Sequence, residues 1–333
     1  MVDDKKDYKS FTWMKRAADL SSHPKISGFD FGKKFDFSSF VDSFYTTGFQ
    51  ATNLGRAIQI TNKMIDSSAT IFLSFTGNVI SSGLREVITY LVKHKLVDVI
   101  VTSAAAVEED IIKSLSDFRM GSFESSGRSL FEHGIGRIGN IFVPNDRYLF
   151  FEEFINSIFP KIYDEQNKRG HPLNPSELAD IFGTAIDNEE SFLYWCSKNE
   201  IPVFCPGIVD GALGDVFYFK KKNFPDFFID VISDHKKLID FTLQQESTGV
   251  IVLGGGVPKH YSLNSQIFRE GADFGVYLTT ASDFDGSDSG GNQEEAKSWA
   301  KIKIDAQHVK VVCDFTISFP LLVAGSFAKV KKL

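Results

Sequence analysis

The sequence predicts an α/β protein: a mostly parallel sheet with helices on both faces, plus a short helical extension at the N-terminus. Three observations predict it. Short apolar runs alternate with stretches of helical periodicity, and small or polar residues follow each run. The 333 residues suit one large α/β domain or two small ones. Hydrophobic residues make up 43% and charged residues 24%, a balance that excludes a wholly disordered chain.

Taken in order, residues 1–20 read as an amphipathic helix, with Phe11, Met14 and Ala18 near helical spacing. His23-Pro24 and Ser27-Gly28 break that pattern. A helical period resumes at Ser38 and, after a glycine interruption, continues through TTGFQATNLGRAIQITNKMI (46–65). TIFLSF (70–75) then opens the strand-then-helix rhythm. LVDVIVTSAA (96–105) leads into VEEDIIKSL, IPVFCPG (201–207) into VDGALGD, and TGVIVLGGG (248–256) into VPKHYSLNSQIFREG. FGVYLTTA (274–281) leads through SDFDGSDSGGNQ to the helix EEAKSWAKI, and HVKVVCDF (308–315) is the last run. Such units need right-handed crossovers and therefore a parallel, Rossmann-like sheet. The block 118–154 reads as an inserted or connecting segment, and 165–178 as a polar surface connection.

Composition excludes several functions. The net charge of −7 without a basic block argues against nucleic acid as a partner. Cys196, Cys205 and Cys313 form no CxxC, which suits a reducing, cytoplasmic setting and excludes a disulfide framework or zinc knuckle. No apolar run nears the roughly 20 residues a membrane span needs, and the charged start lacks an apolar signal core. The 33 phenylalanines read as core and subunit interface.

Ligands of open parallel sheets bind beyond the carboxyl ends of the strands. The residues expected to converge there are Gly77, Asn78, Ser81, Ser103, Ala104, Glu108, Glu109, Asp210, Asp215, Gly254, Gly255, Gly256, His260, Thr280, Ala281, Asp285, Gly286, Asp288 and Asp314. Small residues admit a cofactor closely, helix N-termini favour its phosphates, and the carboxylates suit a polycation. GGG (254–256) is either a close-approach turn for a dinucleotide or a plain strand-to-helix turn; GxGxxG is absent. Glu108-Glu109-Asp110 reads equally as acidic residues of a first helical turn, and DGSDSGG (285–291) as a turn-rich loop without EF-hand spacing. No metal site is expected. Lys259, beside His260, and Lys301, two residues after Trp299, stand out as candidate nucleophiles, although spacing alone leaves each an ordinary surface lysine.

With these stretches the chain resembles the deoxyhypusine synthase family. The telling segments are TTGFQATNLGRA (46–57), ISSGLRE (80–86), VEEDIIK (107–113), RIGNIFVPND (137–146), IPVFCPGIVDGALGD (201–215), IVLGGGVPKH (251–260), DFDGSDSG (283–290) and EEAKSWAKI (294–302). The resemblance covers residues from about 29 to 328. It implies an N-terminal extension over 1–28 and an NAD-binding catalytic domain over 29–333. It further implies NAD-dependent transfer of the 4-aminobutyl group of spermidine to one lysine of translation initiation factor five-A, within a tetramer whose active sites cross dimer interfaces. By resemblance Lys301 is the nucleophile that forms the enzyme imine, and His260 assists proton transfer. Glu108, Glu109, Asp215, Gly286, Ser287, Asp288, Glu295 and Trp299 contact the polyamine. Gly77, Asn78, Ser81, Ser103, Ala104, Ala105, Glu109, Asp210, Gly255, Thr280, Ala281, Asp314 and Phe315 contact NAD.

The chain departs from the family pattern at four places. Gly77 stands where Ser is usual, Ala105 and Ala106 where two glycines are usual, Ala300 where Gly is usual, and Phe315 where a small residue is usual. A methyl group at a close-approach site crowds the cofactor. Two functional readings follow: an active deoxyhypusine synthase, or a catalytically impaired paralogue that activates an authentic subunit in a heterotetramer.

Overall fold

The computed structural model describes residues 17–330. Among the described residues nine strands are formed: β1 Thr70–Phe75, β2 Val99–Val101, β3 Arg119–Met120, β4 Ile135–Ile138, β5 Ile141–Pro144, β6 Val203–Phe204, β7 Thr248–Leu253, β8 Ala272–Thr279 and β9 Ile302–Val312. Six of them make one sheet in the order β6-β2-β1-β7-β8-β9. Every pairing in it is parallel. The chain winds outward from β1 through β2 to β6, then returns to start again at β7 on the other side of β1. The strand order therefore reverses between β1 and β7, where a doubly wound sheet opens its ligand crevice.

The apolar runs become strands because both sheet faces are covered. All six residues of β7 are buried. Alternate side chains enter two separate cores. Ile71, Leu73 and Phe75 join the larger one with the helices Phe49–Asp66, Arg85–Lys93, Ala104–Leu115 and Phe315–Gly325. Phe72, Val250 and Val252 join the smaller one with Leu238 and Leu263, from the helices Val231–Leu243 and Gly256–Gln266. In β1 and β7, Phe75 aligns with Leu253, so the two chains leave the sheet side by side.

Two expectations need correction. The block 118–154 is more than a connection: β3, β5 and β4 form a small antiparallel sheet beside the helix Gly127–Glu132. Its strands span two to four residues and are mostly half-exposed, too short for a periodic signal. The helix expected over 1–20 falls on residues outside the described set as far as residue 16, and Ala17–Leu20 are exposed and not helical. Among the described residues, no helix is long and apolar enough to cross a membrane.

Candidate active site

The crevice begins where β1 and β2 end. The Gly77 amide donates to the Ser103 hydroxyl at 3.1 Å. A β-carbon on Gly77 would stand 2.5 Å from the Ala105 methyl carbon, so these two residues fit only because one is glycine. Ser81 Oγ bonds the Gly77 carbonyl at 3.2 Å and donates to the Glu109 carboxylate. Asn78 is exposed above them.

Glu108, Glu109 and Asp110 are all buried. The first-turn reading of this run is wrong, because the helix starts at Ala104 and has no acidic residue in its first turn. Each carboxylate has its own task. Glu108 accepts from the Leu213 amide at 2.9 Å, at the start of the helix Ala212–Asn223. Burial nevertheless pushes its pKa above the ordinary carboxylate range. Burial pushes Glu109 up to about 7, against the lowering effect of the Ser81 hydroxyl, and the Glu108 charge adds to the rise. Asp110 faces away from the crevice chemistry. It takes Arg85 Nε at 2.7 Å, the Ser191 hydroxyl at 2.5 Å and the Leu193 amide at 3.0 Å, tying three helices together. Glu108 and Asp215 also line a cavity of about 550 Å³ with Glu152, Tyr148, Phe151 and Phe219. Asp210 is exposed on the loop before that helix.

On the other side of the reversal, Gly254 and Gly256 turn the chain at φ +83° and +68°, backbone that disfavours any β-carbon. The Gly256 amide, at the start of the helix Gly256–Gln266, donates to Ser289 Oγ at 3.0 Å. The loop from Ser282 to Gly291 thus lies directly on the glycine turn, with Asp285, Gly286, Ser287 and Asp288 exposed on it. Thr280 is exposed, and the carbonyl of half-buried Ala281 takes Lys310 Nζ at 2.9 Å. Asp314 caps the last long helix, accepting from the Thr316 amide at 2.7 Å. The Phe315 ring comes within 3.4 Å of where a Gly254 β-carbon would stand.

Lys259 is no surface lysine. It is buried, and its ammonium donates to the Gly291 carbonyl at 2.8 Å and to the Asp288 carbonyl. Burial holds it below the ordinary lysine range, the Lys310 and Lys301 charges act the same way, and Asp288 and Glu295 oppose them. Lys301 is half-buried at the foot of β9, where its carbonyl accepts from the Ala272 amide at 3.1 Å. Trp299 is 64% exposed, and exposed Ala300 takes φ +53°. His260 is exposed and bonded to Asn264.

The residues singled out from sequence therefore fall into two sets. Gly77, Ser81, Ser103, Ala105 and Glu109 touch one another beside β1 and β2, with Glu108 and Asp215 behind them. Gly255, the Asp288 loop, Glu295 and Lys301 gather beside β7 to β9, around Lys259. Among the described residues of one chain, no hydrogen bond or ion pair joins the two sets. Sequence reasoning missed Lys310, Ser289 and Tyr148. The one local signal was a lysine set between valines in the last apolar run.

Comparisons with known proteins bear on this geometry. The family model described as deoxyhypusine synthase matches residues 39–326. The chain belongs to the deoxyhypusine synthase family. It is 45% identical to a deoxyhypusine synthase of Senecio vernalis, over 91% of this chain and 89% of that one. It is also 45% identical to homospermidine synthase 1 of the same plant, over 92% and 90%. A crystal structure from Entamoeba histolytica assigned to deoxyhypusine synthase superposes with a TM-score of 0.62 at 30% identity, covering 92% of this chain and 99% of that one.

Within this deoxyhypusine synthase-family chain the departures acquire physical meaning. The Ala105 methyl fills the space that glycine leaves at position 77. Ala106 is fully buried in the larger core. Ala300 holds a left-handed conformation that glycine takes without strain.

Proposed function

We propose that this chain is a cytoplasmic, NAD-dependent aminobutyl transferase, moving the 4-aminobutyl group of spermidine to one lysine of translation initiation factor five-A. The observation that carries the reading is the family match over 39–326 together with the reversal point of the sheet, bordered by a glycine turn on one side and buried Glu109 on the other. The residues present fit a dinucleotide. The Gly256 amide heads an eleven-residue helix, and the glycines 254–256 leave its turn without side chains, so a phosphate can approach the positive end of that helix. When bound, NAD supplies the hydride acceptor that makes an amine carbon electrophilic.

The chain's own residues account for the rest. Glu109, at about 7, can exchange a proton with an amine near neutral pH. Asp215, Glu108 and Asp288 offer carboxylates to ammonium groups, and Trp299 offers a ring to the methylene stem. Lys301 is the amine assigned to hold the aminobutyl group covalently, with His260 as its proton partner. Because no hydrogen bond or ion pair joins the two residue sets within one chain, and the family resemblance implies sites that cross dimer interfaces, we assign the complete site to the junction of two copies in a tetramer.

Two observations favour variants of this reading. Phe315 packed on the glycine turn favours the regulatory paralogue in a heterotetramer, since a ring there narrows the cofactor's approach. The equal match to homospermidine synthase 1 leaves a small free diamine as a rival acceptor. One experiment separates all three: the purified chain alone receives NAD, radioactive spermidine, and either the factor or a diamine. Label in the factor supports the leading reading. Label only in the diamine, or activity only after a second homologue is added, overturns it. Lys301→Ala should abolish transfer and leave NAD binding nearly intact.

A further inference from the structure

Lys259 is a buried cation to which the chemistry above gives no task. It is 4% exposed. Its ammonium is held by the carbonyls of Asp288 and Gly291, while the nearest carboxylate oxygen, Oδ2 of Asp288, lies 4.0 Å away. A second lysine does the same from the sheet. Lys310 Nζ, on β9, donates to the carbonyls of Ala281 and Gly290, at 2.9 and 2.8 Å, and to the Asp283 carboxylate. Four carbonyls between Ala281 and Gly291 thus converge on two ammonium groups, of buried Lys259 and half-buried Lys310, and Ser289 adds a third tether at the Gly256 amide. Burying a lysine is costly unless its donors meet fixed acceptors. Lys259 spends its donors on backbone carbonyls, and the Asp288 carboxylate stays 44% exposed.

We propose that Lys259 is a positioning residue: by tying the Asp288 and Gly291 carbonyls to the helix that follows the glycine turn, it fixes where the Asp288 carboxylate stands to receive an alkylammonium substrate. The proposal rests on the amine-binding reading above and deepens it. Loss of the tether should weaken amine capture more than turnover, because the carboxylate is misplaced rather than removed.

The test is Lys259→Met, compared with the wild type by steady-state kinetics, NAD titration and amide deuterium exchange. The expected result is a spermidine KM raised about tenfold or more, a kcat changed far less, an unaltered NAD affinity, and faster exchange confined to 282–291. Lys259→Cys treated with 2-bromoethylamine rebuilds the ammonium on a side chain of nearly the same length and should recover the KM. Treated wild type controls for the native cysteines. A folded Lys259→Met with wild-type KM and wild-type exchange overturns the proposal, as does a fall in kcat alone. Should that variant not fold, Lys259→Gln keeps a shorter donor to the carbonyls and should shift exchange and KM in the same direction by less; no shift in either overturns the proposal. A wild type without transferase activity refutes the functional reading, and the exchange comparison still decides the tether.

Discussion

The contact between Gly77 and Ala105 makes a quantitative prediction. A β-carbon added at 77 would lie 2.5 Å from the Ala105 β-carbon and 3.3 Å from its carbonyl carbon. Non-bonded carbons rest at about 3.5–4 Å, so roughly 1 Å must be found between two segments that begin where β1 and β2 end. Gly77 is buried, and overpacking of this kind costs about 1–3 kcal/mol. Gly77→Ala should therefore destabilise by about 2 kcal/mol. Ala105→Gly, near the start of the helix Ala104–Leu115, should cost about 1 kcal/mol through helix propensity. The double variant removes the clash and retains only the second cost, about 1 kcal/mol instead of about 3. The expected coupling is thus about 2 kcal/mol in favour of the pair. Calorimetric melts of the four proteins at one fixed concentration measure it, since subunit association shifts apparent stability. Additivity within about 0.5 kcal/mol would refute the idea that the two positions answer each other.

Three other outcomes are expected. Ala300→Gly should raise thermal stability by about 0.5 kcal/mol, the relief of a left-handed alanine less the extra freedom of glycine in the unfolded chain; a less stable variant contradicts it. Asp110→Ala should cost about 3–5 kcal/mol, because it strands the Arg85 guanidinium, only 2% exposed, without its carboxylate; a loss under about 1 kcal/mol in urea titration would count against the staple. Glu109 has its folded value raised to about 7 from 4.5, so the folded state binds the extra proton and stability falls as pH climbs between those values, levelling off above. That window is worth roughly 3 kcal/mol. Glu109→Gln should remove this share of the decline, gaining on the wild type from pH 5 to pH 8; parallel melting curves for the two proteins would speak against a buried, raised carboxyl.

Much of this molecule was legible because its strands are buried on both faces. β1, β7 and β8 read as continuous apolar runs bounded by turn residues, and their parallel pairing followed from the repeated strand-then-helix units. What escaped did so for local reasons. β3 to β5 are short and mostly half-exposed, so neither period nor hydrophobicity marks them. Ser103 to Ala105 read as the tail of an apolar strand, which moved the expected helix start down to the acidic run and made three buried carboxylates look like helix-dipole partners. Lys259 and Lys310 take their role from carbonyls 20 to 32 residues distant in sequence, a relation that spacing does not encode.

The departures from the family pattern do not weigh equally on the choice between an active enzyme and a regulatory paralogue. Gly77 and Ala105 touch, so one change offsets the other and the local volume is conserved. Ala106 lies within the core, where a methyl group adds packing. Ala300 costs backbone strain at the end of a short helix but leaves the Lys301 backbone bonded to β8. Phe315 alone has no counterpart that yields to it: its ring packs on Gly254, in a turn whose positive φ already forbids a side chain. The turn cannot retreat without breaking the Gly254 amide's bond to the Leu278 carbonyl, 2.8 Å long, which aligns the ends of β7 and β8. The physical case for a paralogue with an obstructed cofactor site therefore comes down to that one ring.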